Sequence, residues 1–134
     1  MKNDIIQVNQ DNVIVKKRKL YKTKGDTGLI YIPEKALEGF RLGWRSVEVK
    51  ATLLVTLTEM QTLTYKYVAK LLPQAKGGKY AYRYYFIQIP ARLTQTIESD
   101  LEDFGLELED LTAEVQLLEG EKGLEVLILL SPAE

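Results

Sequence analysis

The 134-residue sequence contains neither cysteine nor histidine. Without cysteine there is no disulfide framework and no thiolate nucleophile, as expected of a cytoplasmic chain. Without histidine the commonest general base and the commonest transition-metal ligand are missing. Carboxylates, lysines and tyrosines remain, but none falls into a catalytic or metal-ligating motif. The expectation is therefore a non-enzyme, with no catalytic residue, no metal and no cofactor. Long apolar runs are also missing. The longest, Val126-Leu127-Ile128-Leu129-Leu130, has the length of a buried strand and falls far short of the roughly 18 residues of a membrane span. The opening residues do not read as a signal peptide, so no membrane association is expected.

What is present suits a folded domain, with 46% hydrophobic and 28% charged residues. The net charge of −1 conceals a segregation: residues 1–94 carry 17 Lys/Arg against 7 Asp/Glu, or +10, and residues 95–134 carry 1 against 12, or −11. Two readings follow. In one, a basic face meets a polyanion. In the other, the two halves attract each other within the fold or between subunits.

The densest basic stretch is Lys16-Lys17-Arg18-Lys19-Leu20-Tyr21-Lys22-Thr23-Lys24, with six positive charges in nine positions and no acid. Phosphates would offset such density, and Tyr21 sits among the cations. A strand edge guarded by lysines against aggregation is the plainer alternative. A second basic turn, Lys76-Gly77-Gly78-Lys79, precedes the aromatic run Tyr80-Ala81-Tyr82-Arg83-Tyr84-Tyr85-Phe86. In a strand, Tyr80, Tyr82, Tyr84 and Phe86 share one face, and Arg83 and Tyr85 the other. An exposed row of this kind could stack unpaired bases; a buried one would cover the core.

One pattern occurs twice. Gly28-Leu29-Ile30-Tyr31-Ile32-Pro33 is matched 57 positions later by Tyr85-Phe86-Ile87-Gln88-Ile89-Pro90. Each is a β-branched and aromatic strand that runs into a proline and then into a helix, a junction whose geometry proline supplies in advance. The first helix is short, about two turns, with Ala36, Leu37 and Phe40 on one side and Trp44 as a core plug beyond it. The second carries the stripe Leu93, Ile97, Leu101 and Phe104, and Gly105 is placed to end it. Val47–Ala51 reads as a half-buried strand, 53–58 and 62–68 as a hairpin around Glu59-Met60-Gln61, and 113–118 with 124–130 as a last hairpin. Residues 1–12 read as an arm or a short added strand. The expected organisation is that arm, a basic first repeat over 13–72 and a second repeat over 73–134, packed as one globular unit.

The text from Lys22 to Leu37, with its basic strand, its turn, Gly-Leu-Ile-Tyr-Ile-Pro and a short helix, resembles the N-terminal signature of the SpoVT/AbrB-type swapped-hairpin family. A second, divergent copy runs from Phe86 to Leu130, with Tyr85 where the glycine is expected. The resemblance implies a mainly β fold with two short helices, in which duplicated strand–helix–hairpin units form a swapped-hairpin-like barrel or sheet. It further implies a cytoplasmic, homo-oligomeric regulator of transcription or architectural protein that contacts duplex DNA. Carried over position by position, the contacts would be Lys17, Arg18, Lys19, Lys22 and Lys24 in the first copy and Lys76, Lys79 and Arg83 in the second. The acidic helix and hairpin of the second copy would repel phosphate, so the halves are not expected to be equivalent readers. Two alternatives stand beside this one: a single-stranded nucleic-acid binder using Tyr80, Tyr82 and Tyr84, and an assembly module with complementary charged halves.

Overall fold

A computed structural model of the protein describes residues 5–9, 12–77, 82–121 and 123–132. Eight strands follow one another: β1 (Ile5–Asn9), β2 (Asn12–Lys22), β3 (Gly28–Pro33), β4 (Val47–Thr58), β5 (Gln61–Lys76), β6 (Tyr82–Ile89), β7 (Leu111–Gly120) and β8 (Gly123–Pro132). A 3₁₀ helix (Glu34–Phe40) separates β3 from β4. Between β6 and β7 lie helix α1 (Ala91–Glu102) and a single 3₁₀ turn at Leu108–Asp110.

The order β2-β3-β6-β5-β4-β8-β7 closes on itself because β2 also pairs with β7. The result is a mainly β architecture, a closed seven-strand mixed barrel with two helices. β4 and β8 run parallel and the other neighbours antiparallel. β1 lies outside the ring as an added strand against residues 12–16 of β2, one of the two forms anticipated for the N-terminal segment.

Strict alternation along the strands fills the barrel. Val49, Ala51, Leu53 and Val55 of β4, Leu111, Ala113, Val115 and Leu117 of β7, and Val126, Ile128 and Leu130 of β8 all point inward, as the period of two requires. Alternation runs unbroken through Thr52, so the two segments read separately at 47–51 and 53–58 are one strand. β5 likewise runs through Pro73. The proline is tolerated there because β4 has already left that edge at Leu71.

The two Ile-Pro strands are direct neighbours. β3 and β6 pair antiparallel from Gly28↔Ile89 to Pro33↔Tyr84, with Ile30 opposite Ile87. Leu20 faces Ile30 from one side and Leu71 faces Ile87 from the other, so four buried side chains form a row across four strands. Each proline caps its helix, with φ −60° at Pro33 and −57° at Pro90, and the helices sit at opposite ends of this ladder. At one end Ala36 and Leu37 are buried, and Trp44 packs edge-on to Tyr85 with ring centroids 5.2 Å apart. At the other, α1 buries Thr94, Ile97 and Leu101.

The stripe expected on α1 ends one residue early. Phe104 is 40% exposed, which corrects the expectation that it is buried. The helix stops before it: Gly105, at φ 68°, donates to the Glu102 carbonyl, and Leu106 N–H reaches back to that of Leu101. This is the glycine-terminated stop that the sequence suggested, and it swings Phe104 off the buried face.

Candidate nucleic-acid interface

The basic stretch lies on β2, whose geometry is set by one residue. Lys17 has φ 57°, and the β2–β7 register shifts between Val15 and Arg18. A bulge of this kind inserts one residue and reverses which side chains face inward. Val13 and Val15 point into the barrel before it and Leu20 after it, leaving Lys17, Lys19 and Tyr21 on the outside.

The bulge falls in a notch. On the edge of β2 that faces β3, β1 pairs only as far as Lys16 and β3 begins at Leu20. A concavity of about 280 Å³ at this place is lined by Lys17, Arg18, Lys19, Tyr21 and Tyr31. Arg18 Nη1 donates to the Tyr31 carbonyl at 3.4 Å, and Lys19 Nζ stands 5.3 Å from the centre of the Tyr21 ring, within the range of a cation–π contact.

From the notch an aromatic row crosses three strands. Tyr21 stacks on Tyr31 at 5.1 Å and 30°, Tyr31 lies 5.0 Å from Tyr84, and Phe86 is 6.0 Å from Tyr31. Tyr21 and Tyr31 are 43% and 38% exposed, so part of each ring meets solvent. Tyr84 and Phe86 share one face of their strand, as the alternation leads one to expect, and the row of rings extends from them across strands to Tyr31 and Tyr21. Its first two members, Tyr21 and Tyr31, were legible only from the register of their buried neighbours Leu20 and Ile30, which forces both tyrosines outward.

The other cations of the sequence reading are dispersed. Lys22 bonds Glu98 of α1 at 2.7 Å and lies 3.9 Å from Asp26. Its hydrogen bond to Glu98 holds its pKa above the ordinary lysine value. Lys24 is exposed in the turn, closed by bonds between Thr23 and both Thr27 and Asp26. Arg83 faces away from the row: its Nε pairs with Glu34 at 3.2 Å and its guanidinium lies 3.8 Å over Trp44. Lys76 and Tyr82 are opposite one another in the β5–β6 ladder. Their side chains, and Lys79 and Tyr80 entirely, lie outside the described residues.

Acidic groups approach from the other side. A groove of about 630 Å³ brings Glu109 and Asp110 to Lys17, Arg18 and Lys19. Among the described residues no cluster of three or more Asp or Glu could hold a metal ion, and no helix is long and apolar enough to cross a membrane.

Two tyrosines lie apart from this face. Tyr65 bonds Asp100 of α1 at 2.6 Å, and burial together with that bond pushes its pKa well above the ordinary tyrosine value. The Tyr67 hydroxyl is buried with no hydrogen-bond partner among the described residues, and burial raises its pKa as well.

No protein-family model matches the chain, and neither the curated proteins nor the solved structures contain a match to it.

Proposed function

We propose that the protein binds nucleic acid, with phosphates held at the β2 notch by Lys17, Arg18 and Lys19. The observation that carries this reading is the Lys17 bulge. It turns Lys17 and Lys19 outward beside the part-exposed rings of Tyr21 and Tyr31. Cations supply affinity by releasing counterions, and exposed rings add a surface for bases or sugars. The role is that of a binding protein acting in the cytoplasm, a DNA-binding regulator or architectural protein.

The resemblance to a tandem swapped-hairpin protein is supported by the β3–β6 ladder. Ile30 and Ile87 hold equivalent places in the two copies and stand opposite one another, as a pseudo-twofold axis between the copies requires. The same operation relates β2 to β5, Leu20 to Leu71, and the two helices at opposite ends. The basic face is repeated only at Lys70, which matches Lys19; the β5 positions matching Arg18, Tyr21 and Lys22 are Ala69, Leu72 and Pro73. Nucleic acid would therefore lie along one side of the barrel.

A second reading has its own support. The Lys22–Glu98 bond joins the basic and acidic halves inside one chain, and Glu109 and Asp110 adjoin the notch. On this reading the cations serve folding. Binding of labelled duplex and single-stranded DNA and RNA, titrated with salt, separates the two. A steep salt dependence supports the first, and absence of binding to every probe at low salt removes it.

A further inference from the structure

We infer that the protein forms a twofold dimer by pairing the β5 edge at residues 61–69 with the same edge of a second copy. β5 has β4 on one side along 61–71 and β6 on the other only from Lys70 onward. Among the described residues no strand covers the β6-side edge of 61–69. The outward side chains there, Thr62, Thr64, Lys66 and Val68, are exposed, Val68 at 59%, and Met60 at the hairpin tip is 92% exposed.

The equivalent edge of β2 is occupied. β1 pairs with residues 12–16, on the side of β2 that faces β3. Relating β2 to β5 through Leu20 and Leu71, and allowing for the extra residue of the bulge, 12–16 correspond to 64–68. The fold thus satisfies this edge by strand addition in one half and leaves its counterpart open in the other.

The segment Gln-Thr-Leu-Thr-Tyr-Lys-Tyr-Val-Ala is β-branched and aromatic, with no proline, no glycine and a single charge at Lys66. Exposed edges usually carry several guards against pairing; this one carries a lone lysine. Its pattern suits itself. Antiparallel pairing centred on Tyr65 sets Lys66 opposite Thr64 and Val68 opposite Thr62 of the other copy, so no like charges meet. An interface that uses the same patch twice closes at two subunits.

The register makes the test sharp, because residue 64 of each copy would face Lys66 of the other. Sedimentation or light scattering of the full chain, from low micromolar to millimolar concentration, should find a dimer. Thr64→Lys should weaken it about tenfold by two lysine–lysine oppositions, and Thr64→Glu should strengthen it comparably. Circular dichroism and melting of the dilute variants check that both fold. A wild type that stays monomeric throughout, or a dimer that moves the same way or not at all with both variants, overturns the proposal. Shifts of opposite sign sustain it.

Discussion

Thr94, fully buried in the first turn of α1, has its hydroxyl 3.3 Å from where a Cβ on Gly28 would stand. The Ile89 Cβ lies 3.2 Å from the same point, so β3 meets the β6–α1 junction as closely as a strand without a side chain permits. At the same place in the other Ile-Pro strand, 57 positions on, the residue is Tyr85, which fills the space under the smaller 34–40 helix and Trp44. A glycine under the long helix and a tyrosine under the short one are two solutions to the same capping problem.

Gly28→Ala is accordingly expected to cost about 1–3 kcal/mol by overpacking. Gly39→Ala, where nothing lies within 4 Å of the added carbon, should be neutral or stabilising by up to about 1 kcal/mol. Urea denaturation of both variants checks the contrast. Equal effects would mean that the β3–α1 approach is looser than described.

Leu101 is fully buried and Phe104 part-exposed. Leu101→Ala should cost about 2–5 kcal/mol, and Phe104→Ala about 0.5 kcal/mol or less, as is usual at a surface. A large loss at Phe104 would point to a partner that covers it.

Tyr65→Phe removes a hydroxyl bonded to Asp100 and should cost about 1.5–3 kcal/mol, since the acceptor is charged. Tyr67→Phe removes a buried hydroxyl with no partner among the described residues and should be neutral or stabilising. Thermal melts of the pair decide it, and a reversed order would refute the assignment.

Stability should hold through neutral pH and fall in alkali. Tyr65, Tyr67 and Tyr85 have folded-state pKa values raised above the ordinary 10.0, chiefly by burial, and that of Lys22 is raised above 10.5 by Glu98. In each case the folded state holds the proton more tightly. The resulting stability is fully present below the unfolded values and is lost as pH rises through the folded ones. Denaturation midpoints on either side of pH 10 should drop only on the alkaline side. A flat profile there would contradict the buried tyrosines.

For nucleic-acid binding, neutralising Lys17, Arg18 and Lys19 together should flatten the salt dependence by up to about 2.7, about 0.9 per duplex phosphate contact. Lys22→Met should matter less, because that ammonium is already held by Glu98. Tyr31→Ala should weaken single strands more than duplex if the exposed rings stack bases, by about 1–3 kcal/mol per base. Fluorescence anisotropy across a salt series reads all three. Retention of full affinity in the triple variant would remove the notch from the interface.

Much of the architecture was legible in residue patterns. The alternation in β4, β7 and β8, the Ile-Pro junctions and the Gly105 stop are local signals, and the structure follows them. Barrel closure was not legible, because it depends on β2 meeting β7 and β4 meeting β8 across long separations that no local pattern encodes. The site was legible as composition and obscure as geometry. Lys17 to Lys19 stood out by charge, but an αL lysine gives no advance sign, so the bulge that turns Lys17 outward could not be foreseen. Arg83 was grouped with the cations by sign alone, whereas Glu34 and Trp44, which hold it, lie 49 and 39 residues earlier in the chain.

Closure by β2 and β7 also sets an order of events. The ladder that joins Val13 to Leu117 spans nearly the whole chain, and contacts of such separation form late and slowly. During synthesis the cationic strand leaves the ribosome long before the acidic segment that flanks it in the finished barrel. For that interval the cations of β2 lack the carboxylates of Glu98, Glu109 and Asp110 that adjoin them in the finished barrel. Refolding of the purified chain should accordingly be slow for its size, and its rate sensitive to added polyanions.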